Sequence, residues 1–341
     1  MLNTVYQLKG PRQFEISFQD VELDEKHVVV RPTYLSICNA DQRYYQGTRA
    51  EEILRQKLPM ALIHEGIGKV IYDPTGTYQV GSEVVMIPNR PSEEDPIIAE
   101  NYLRSSTFCA SSQDGFLQEY VLATPDRMLP LPVGINRVVA AFTELVSVSY
   151  HAISRFLRFS HERRNVVGVW GDGNLGYITA LLLKYRLPGS KIYVFGVNSY
   201  KLNDFSFADE TFLVSEIPEG LQLNHAFECV GGAGSGKAID QIIDFIKPEG
   251  TISILGVSEY PVPINTRMIL EKGLRVFGSS RSGRVDFEKT VELYREHPEI
   301  INYLSNIVGA VIPVRSIADM KKAFEMDIQK SFGKTIMLWE K

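Results

Sequence analysis

Cysteine is scarce in this chain. Its three residues, Cys38, Cys109 and Cys229, lie far apart with no CxxC pair, which argues against a disulfide framework and fits a reducing cytoplasm. No apolar run approaches the ~18 residues that would span a bilayer. The opening MLNTVYQLKGPRQF has no apolar signal core, so a cytoplasmic location is expected. Neither sign of charge is in large excess: 36 Lys and Arg stand against 41 Asp and Glu, a net charge of −5. That balance gives no reason to expect nucleic acid or a membrane surface as partner. Internal repeats and low-complexity segments are also missing. What remains is an ordinary composition, 44% hydrophobic and 23% charged over 341 residues, enough for two domains and a sizeable core.

The most informative stretch is VVGVWGDGNLG, residues 166–176, followed directly by YITALLLKYR. An apolar run, a glycine turn and a helical pattern in that order read as strand, turn and helix. Gly171 would permit the tight turn, Gly173 a close approach to a pyrophosphate, and Gly176 packing of helix on strand. Asn174 and Leu175 complete the motif. A pyrophosphate at the helix N-terminus meets free N–H groups and a favourable dipole. Downstream, apolar runs at 191–196, 225–232, 251–256 and 273–280 alternate with helical segments such as 235–246. This implies a doubly wound, mostly parallel sheet of the Rossmann type.

Upstream the pattern differs. Residues 27–35, 66–73, 82–89, 114–123 and 127–132 read as short strands punctuated by Gly and Pro, as in a small β-rich barrel. The segment 91–114 is long, polar and without periodicity, and 137–159 reads as one helix. After Gly283 come a helix, a strand (VIPVRS), a second helix and a last strand (KTIMLW). These do not extend the nucleotide fold and are expected to return to the first domain. The expected domains are 1–145, 146–280 and the returning 281–341.

NAD-selective chains place an acidic residue about 20 positions after the glycine motif, where it holds the ribose 2′-hydroxyl. Here the second strand ends at Gly196 and continues Val197-Asn198-Ser199-Tyr200-Lys201, with no carboxylate. A glycine leaves space, and Asn198, Ser199 and Lys201 supply donors, a combination that suits the 2′-phosphate of NADPH. A polar turn with Lys201 in water is the alternative. Elsewhere, Cys38, His64 and Glu144 are residue types that zinc accepts. On residue types alone, a buried cysteine and a satisfied core histidine are the better reading.

Motif order changes that balance. Cys38-Asn39-Ala40-Asp41, His64-Glu65 followed by Gly66 and Gly68, Glu144-Leu145-Val146-Ser147-Val148 and then GDGNLG resemble the zinc-dependent medium-chain dehydrogenases/reductases, nearest the polyol dehydrogenases. The resemblance covers essentially the whole chain. Within that family, LSICNADQRYYQG, PMALIHEGIGKV, IIAENYLRSS, WGDGNLGYITA, FECVGG and GSSRSG look very like the ribulose-5-phosphate reductases, which make ribitol 5-phosphate for teichoic acids and capsules. The resemblance implies an α/β fold, a GroES-like β-barrel catalytic domain joined to a Rossmann domain, and zinc-assisted hydride transfer from NADPH to the C2 carbonyl. It implies Cys38, His64 and Glu144 as catalytic zinc ligands, Glu65 as a carboxylate on or beside the zinc, and Asp41 as an orienting residue. It also places Arg281 near the substrate, where a surface arginine in a Ser/Gly loop has equal weight. Arg43 and Arg104 are further candidates for the sugar phosphate, with Tyr44 and Tyr45 as possible donors or ordinary packing residues.

Two departures stand out. Ala40 replaces the Ser or Thr that relays a proton in relatives, leaving a zinc-bound water or Glu65 for that task. The stretch around 89–113, where many relatives hold a second, structural zinc on four cysteines, has only Cys109. One catalytic zinc and no structural zinc are therefore expected. A homodimer through the far edge of the nucleotide sheet, and association with a cytidylyltransferase, rest on the resemblance alone. A polyol or alcohol dehydrogenase acting on an unphosphorylated substrate is the alternative function.

Overall fold

The computed structural model describes all residues 1–341. It divides into two compact units, Met1–Ser147 with Ser282–Lys341, and Val148–Arg281. The first boundary falls inside the helix Thr143–Phe159.

The first unit is predominantly β. Its larger sheet runs in the order Met128–Pro130, Glu83–Met86, Glu65–Tyr72, Val28–Ser36, Lys334–Trp339 and Val308–Val314, with Val121–Ala123 also on Val28–Ser36. Two of these strands come from the returning segment. Lys334–Trp339 lies antiparallel to Val28–Ser36, with Ile336 opposite Ser36, and parallel to Val308–Val314. Val28, Val29 and Val30 are all buried while Arg31 is out. Pro32 sits where the register with Glu65–Tyr72 shifts, a place where a residue with no N–H to donate is tolerated.

A smaller sheet pairs Gln13–Asp20, Leu2–Gly10 and Met60–Ala61. Its hairpin is not apparent from the sequence pattern, because Ile16 and Phe18 face outward and blur the alternation. The expected strand at 114–123 is mostly irregular. Gly115 and Phe116 donate to the carbonyls of Ala61 and Ile63, both at 2.7 Å, and only Val121–Ala123 joins a ladder. A Cβ on Gly115 would lie 2.3 Å from the Ile63 oxygen, so this close approach requires glycine. The long polar segment is pinned by Glu100. Its Oε1 accepts from Arg127 at 2.8 Å and from the backbone of Arg284 at 2.9 Å.

The second unit is a six-stranded parallel sheet in the order Glu210–Leu213, Lys191–Gly196, Val166–Trp170, Leu223–Glu228, Ile246–Ile254, Arg275–Gly278. The order reverses between Val166–Trp170 and Leu223–Glu228, the switch point at which such sheets bind ligands. Helices Asn174–Arg186 and Ser235–Phe245 connect strands on either side of it. The edge strand Glu210–Leu213 was not among the expected strands, since ETFL is short and half polar. The single helix expected at 137–159 is broken into Arg137–Ala140 and Thr143–Phe159. The Thr143 hydroxyl donates to the Ala140 carbonyl at 2.8 Å across the break.

At the opposite end of this sheet from the glycine turn, His225 is fully buried. Its Nε2 donates to the Arg163 carbonyl at 3.1 Å and its Nδ1 accepts the Thr251 N–H at 3.1 Å, which fixes the neutral tautomer. Burial and the neighbouring His161 push its pKa down from 6.5 to about 3. A histidine depressed in the folded state binds its proton more readily when unfolded. The stability this confers is therefore complete above about pH 6.5 and is lost as pH falls toward 3. Between pH 7 and pH 5 the unfolding free energy should fall by about 2 kcal/mol from this group. Urea midpoints at the two pH values, compared with His225→Gln, test this; an equal pH slope in both proteins would refute it.

Candidate active site: a Cys/His/Glu cluster and a dinucleotide cradle

The register of the larger sheet explains how distant residues meet. Ser36 lies opposite Glu65 on one side and Ile336 on the other. The chain leaves Ser36 to place Cys38 at the N-cap of the short helix Asn39–Tyr45. His64 precedes the strand that starts at Glu65. Ligand atoms of Cys38, His64 and Glu65 consequently lie within 4.8 Å of one another.

Asp41 is buried and holds this corner together. Its Oδ2 accepts the Cys38 N–H at 3.0 Å, and its Oδ1 accepts the Ile63 N–H at 2.9 Å. The same Oδ1 lies 3.7 Å from His64 Nδ1. One carboxylate thus fixes the backbone at Cys38 and beside His64 and faces the imidazole, the arrangement by which outer groups tune a metal site. Ile63 has φ +72°, a strained conformation for a β-branched residue that the neighbouring bonds hold in place. Burial opposes protonation of His64, but the Asp41 carboxylate and Cys38 outweigh it and draw its pKa well up. Glu144, buried in the first turn of Thr143–Phe159, is pushed up to about 7, chiefly by burial and also by Glu65.

The donor set fits zinc: sulfur, imidazole and carboxylate in a buried corner. Both Glu65 oxygens lie 2.8 Å from Lys334 Nζ, so a buried cation already faces this carboxylate.

Lys334 is the residue that sequence reasoning missed. It begins the returning strand Lys334–Trp339 and is 2% exposed. Its Nζ donates to Glu65 Oε1 at 2.8 Å and to the Ile37 carbonyl at 2.9 Å. Burial acts against its charge, but Glu65 and Cys38 hold its pKa up. The only sequence signal is a lysine opening an otherwise apolar strand.

Other candidates fall elsewhere. Tyr45 packs on Phe14 and Phe324 and bonds Glu325 through its hydroxyl, and the Arg49 guanidinium covers the Tyr44 ring at 4.6 Å. That pair is packing. Arg43 is half-buried in the last turn of Asn39–Tyr45, and Arg104 is exposed in the long segment. Cys109 is buried, with Gln113 Nε2 3.3 Å from its sulfur. Arg281 belongs to the second unit and has φ +58°.

In that second unit the glycine turn has the geometry of a dinucleotide cradle. Gly171 has φ +131°. A Cβ on Gly176 would lie 1.9 Å from the Gly171 oxygen, whereas one on Gly173 would meet nothing within 4 Å. The helix Asn174–Arg186 therefore packs tightly on the turn, with open space at its N-terminus for a phosphate. Asn174 and Leu175 form its first turn.

The end of the second strand differs from expectation. Gly196 leaves no empty space, because a Cβ there would lie 2.7 Å from that of Asp172. Asp172 Oδ2 accepts from the Val197 N–H at 2.9 Å, the Asn198 N–H at 2.8 Å and the Asn198 side-chain amide at 3.0 Å. The residue between the first two glycines of the motif thus fills the gap and turns the Asn198 amide toward itself. Ser199 is exposed and Lys201 half-buried on the short helix Ser199–Leu202, the Lys201 ammonium 5.8 Å from the Tyr200 ring centre.

Comparison with known proteins gives two family matches: alcohol dehydrogenase GroES-like domain over residues 24–133 and zinc-binding dehydrogenase over 188–296. The chain is 56% identical to the ribulose-5-phosphate reductase of Bacillus spizizenii, covering 100% of both. It is 54% identical to ribulose-5-phosphate reductase 1 of Staphylococcus aureus over 99% of each. Its fold matches the crystal structure of S. aureus TarJ in complex with NADPH at a TM-score of 0.90, with 50% identity over the full length of both chains.

Proposed function

The chain belongs to the zinc-binding dehydrogenases and, within them, to the ribulose-5-phosphate reductases, and we infer from this that it reduces D-ribulose 5-phosphate to D-ribitol 5-phosphate with NADPH. The observation that carries the reading is the cluster of half-buried Cys38 with buried His64 and Glu65, found in a chain that matches those reductases end to end. The product would serve as precursor of a ribitol-phosphate polymer, a teichoic acid or capsule.

Cys38, His64 and Glu144 would hold a single catalytic zinc, with Glu65 on it or beside it. When bound, zinc supplies a Lewis acid for the substrate carbonyl oxygen and NADPH supplies the hydride. Asp41 keeps Cys38 and His64 in position. Lys334 holds the Glu65 carboxylate, its Nζ 2.8 Å from both oxygens. Ala40 offers no hydroxyl to relay a proton, which leaves a zinc-bound water or Glu65 for that task. Gly171, Gly173 and Gly176 with Asn174 and Leu175 would cradle the pyrophosphate, and Ser199 and Lys201 the adenosine end. Arg43 and Arg281 would meet the sugar phosphate. A homodimer joined along the Arg275–Gly278 edge, and association with a cytidylyltransferase that consumes the product, complete the reading.

Cofactor oxidation by zinc-loaded protein tests it, with ribulose 5-phosphate or ribulose and with NADPH or NADH. The phosphate ester should raise kcat/KM by at least about 100-fold, the worth of one or two charge-assisted bonds. Equal rates with both sugars would instead identify a polyol dehydrogenase for unphosphorylated substrates.

A further inference from the structure

Glu228 ends the strand Leu223–Glu228 at the ligand-binding edge of the nucleotide sheet and is completely buried. Its Oε1 accepts from the backbone of Val230 at 3.0 Å and Gly231 at 2.8 Å, and its Oε2 accepts from Gly256 at 3.1 Å. Two loops that follow adjacent strands are thereby laced to one carboxylate. They are tied again by the Gly232 N–H on the Val257 carbonyl at 3.0 Å and the Ser258 hydroxyl on the Gly232 carbonyl at 2.9 Å. Glycine is needed at the crossing: a Cβ on Gly256 would lie 2.5 Å from Glu228 Oε1 and 2.3 Å from the Gly231 nitrogen.

No lysine or arginine pairs with Glu228, so backbone N–H groups alone hold its charge. Next to it the Cys229 thiol is pushed up by burial and then by Glu228. The glycine turn and the Gly196–Lys201 loop take the pyrophosphate and adenosine on one side of the switch point. The nicotinamide then falls to the loops on the other side, Cys229–Gly232 and Leu255–Ser258. On giving up hydride, that ring passes from neutral to a unit positive charge.

We propose that Glu228 is a positioning residue for the nicotinamide, lacing the two loops that hold the ring and favouring its oxidised, cationic form through a fixed buried negative charge. The proposal rests on the NADPH reading above. It concerns the relative binding of NADP⁺ and NADPH, which a merely structural role would weaken alike.

The test is to titrate zinc-loaded wild-type protein and Glu228→Gln with NADPH, NADP⁺ and 2′,5′-ADP, which carries only the adenosine end. The variant should lose about tenfold more affinity for NADP⁺ than for NADPH, or about 1.4 kcal/mol, with 2′,5′-ADP unchanged within about twofold. Equal losses for NADP⁺ and NADPH, or no loss, would overturn the proposal. Should the variant not fold, hydrogen exchange on the wild-type protein decides. The Val230, Gly231 and Gly256 amides should slow with NADP⁺ and not with 2′,5′-ADP, and unchanged exchange with NADP⁺ overturns the role. If the wild type binds neither NADPH nor 2′,5′-ADP, the cofactor reading itself fails and this role with it.

Discussion

Replacing Lys334 with methionine should destabilise the metal-free protein by about 3–5 kcal/mol, the usual result of removing one partner from a buried ion pair. Lys334 and Glu65 are 2% and 0% exposed, and the lysine nitrogen lies 2.8 Å from the carboxylate. The variant removes the ammonium that pairs with Glu65 and leaves the Ile37 carbonyl with one donor fewer. The double variant Lys334→Met with Glu65→Gln should recover most of that loss, because a neutral amide no longer demands a counter-charge. Urea unfolding of the two variants and of the wild type, all treated with chelator, reads the difference. A single variant within about 1 kcal/mol of wild type would mean that the pair is not closed in solution. Zinc should narrow the gap, since bound metal offers Glu65 another positive charge.

Cys38→Ser should abolish stable zinc retention and lower kcat/KM by at least about 10³-fold. A Lewis acid contributes several kcal/mol to polarising a carbonyl, and each 1.4 kcal/mol is about tenfold in rate. Serine keeps the size of the side chain but supplies a neutral hydroxyl where a thiolate should bind. Asp41→Asn should be milder, about 10–100-fold in metal affinity, as for other residues that orient ligands. Elemental analysis after dialysis should give one zinc per chain in the wild type and less than about 0.1 in Cys38→Ser. Full zinc and full activity in Cys38→Ser would remove the cysteine from the ligand set, and two zincs in the wild type would contradict the single-site reading.

The nucleotide unit was legible because its information is local. GDGNLG stands between an apolar strand and a helical pattern, and Gly171, Gly173 and Gly176 each have the geometry that the spacing suggests. The metal corner was legible only through resemblance. Cys38 and His64 meet because Ser36 pairs with Glu65, and no sequence spacing encodes that register. Lys334 reaches Glu65 across 269 residues, so neither period nor motif could announce it. Asp172 was hidden for a different reason. It occupies a position that the glycine motif leaves unspecified, and the space at Gly196 that favoured a phosphate is the space it fills.

The chain order also bears on how the molecule is made. The nucleotide unit, Val148–Arg281, is one continuous stretch, whereas the metal-bearing unit draws on both Met1–Ser147 and Ser282–Lys341. The central strand Lys334–Trp339, between Val28–Ser36 and Val308–Val314, follows the whole inserted unit in sequence. As a nascent chain emerges, the nucleotide unit can therefore complete its sheet first. The earlier segment must wait with a gap in its sheet and with Glu65 lacking its lysine. Its edges are exposed during that interval, so premature truncation or slow translation after Arg281 should leave a folded nucleotide unit tethered to an aggregation-prone half-barrel.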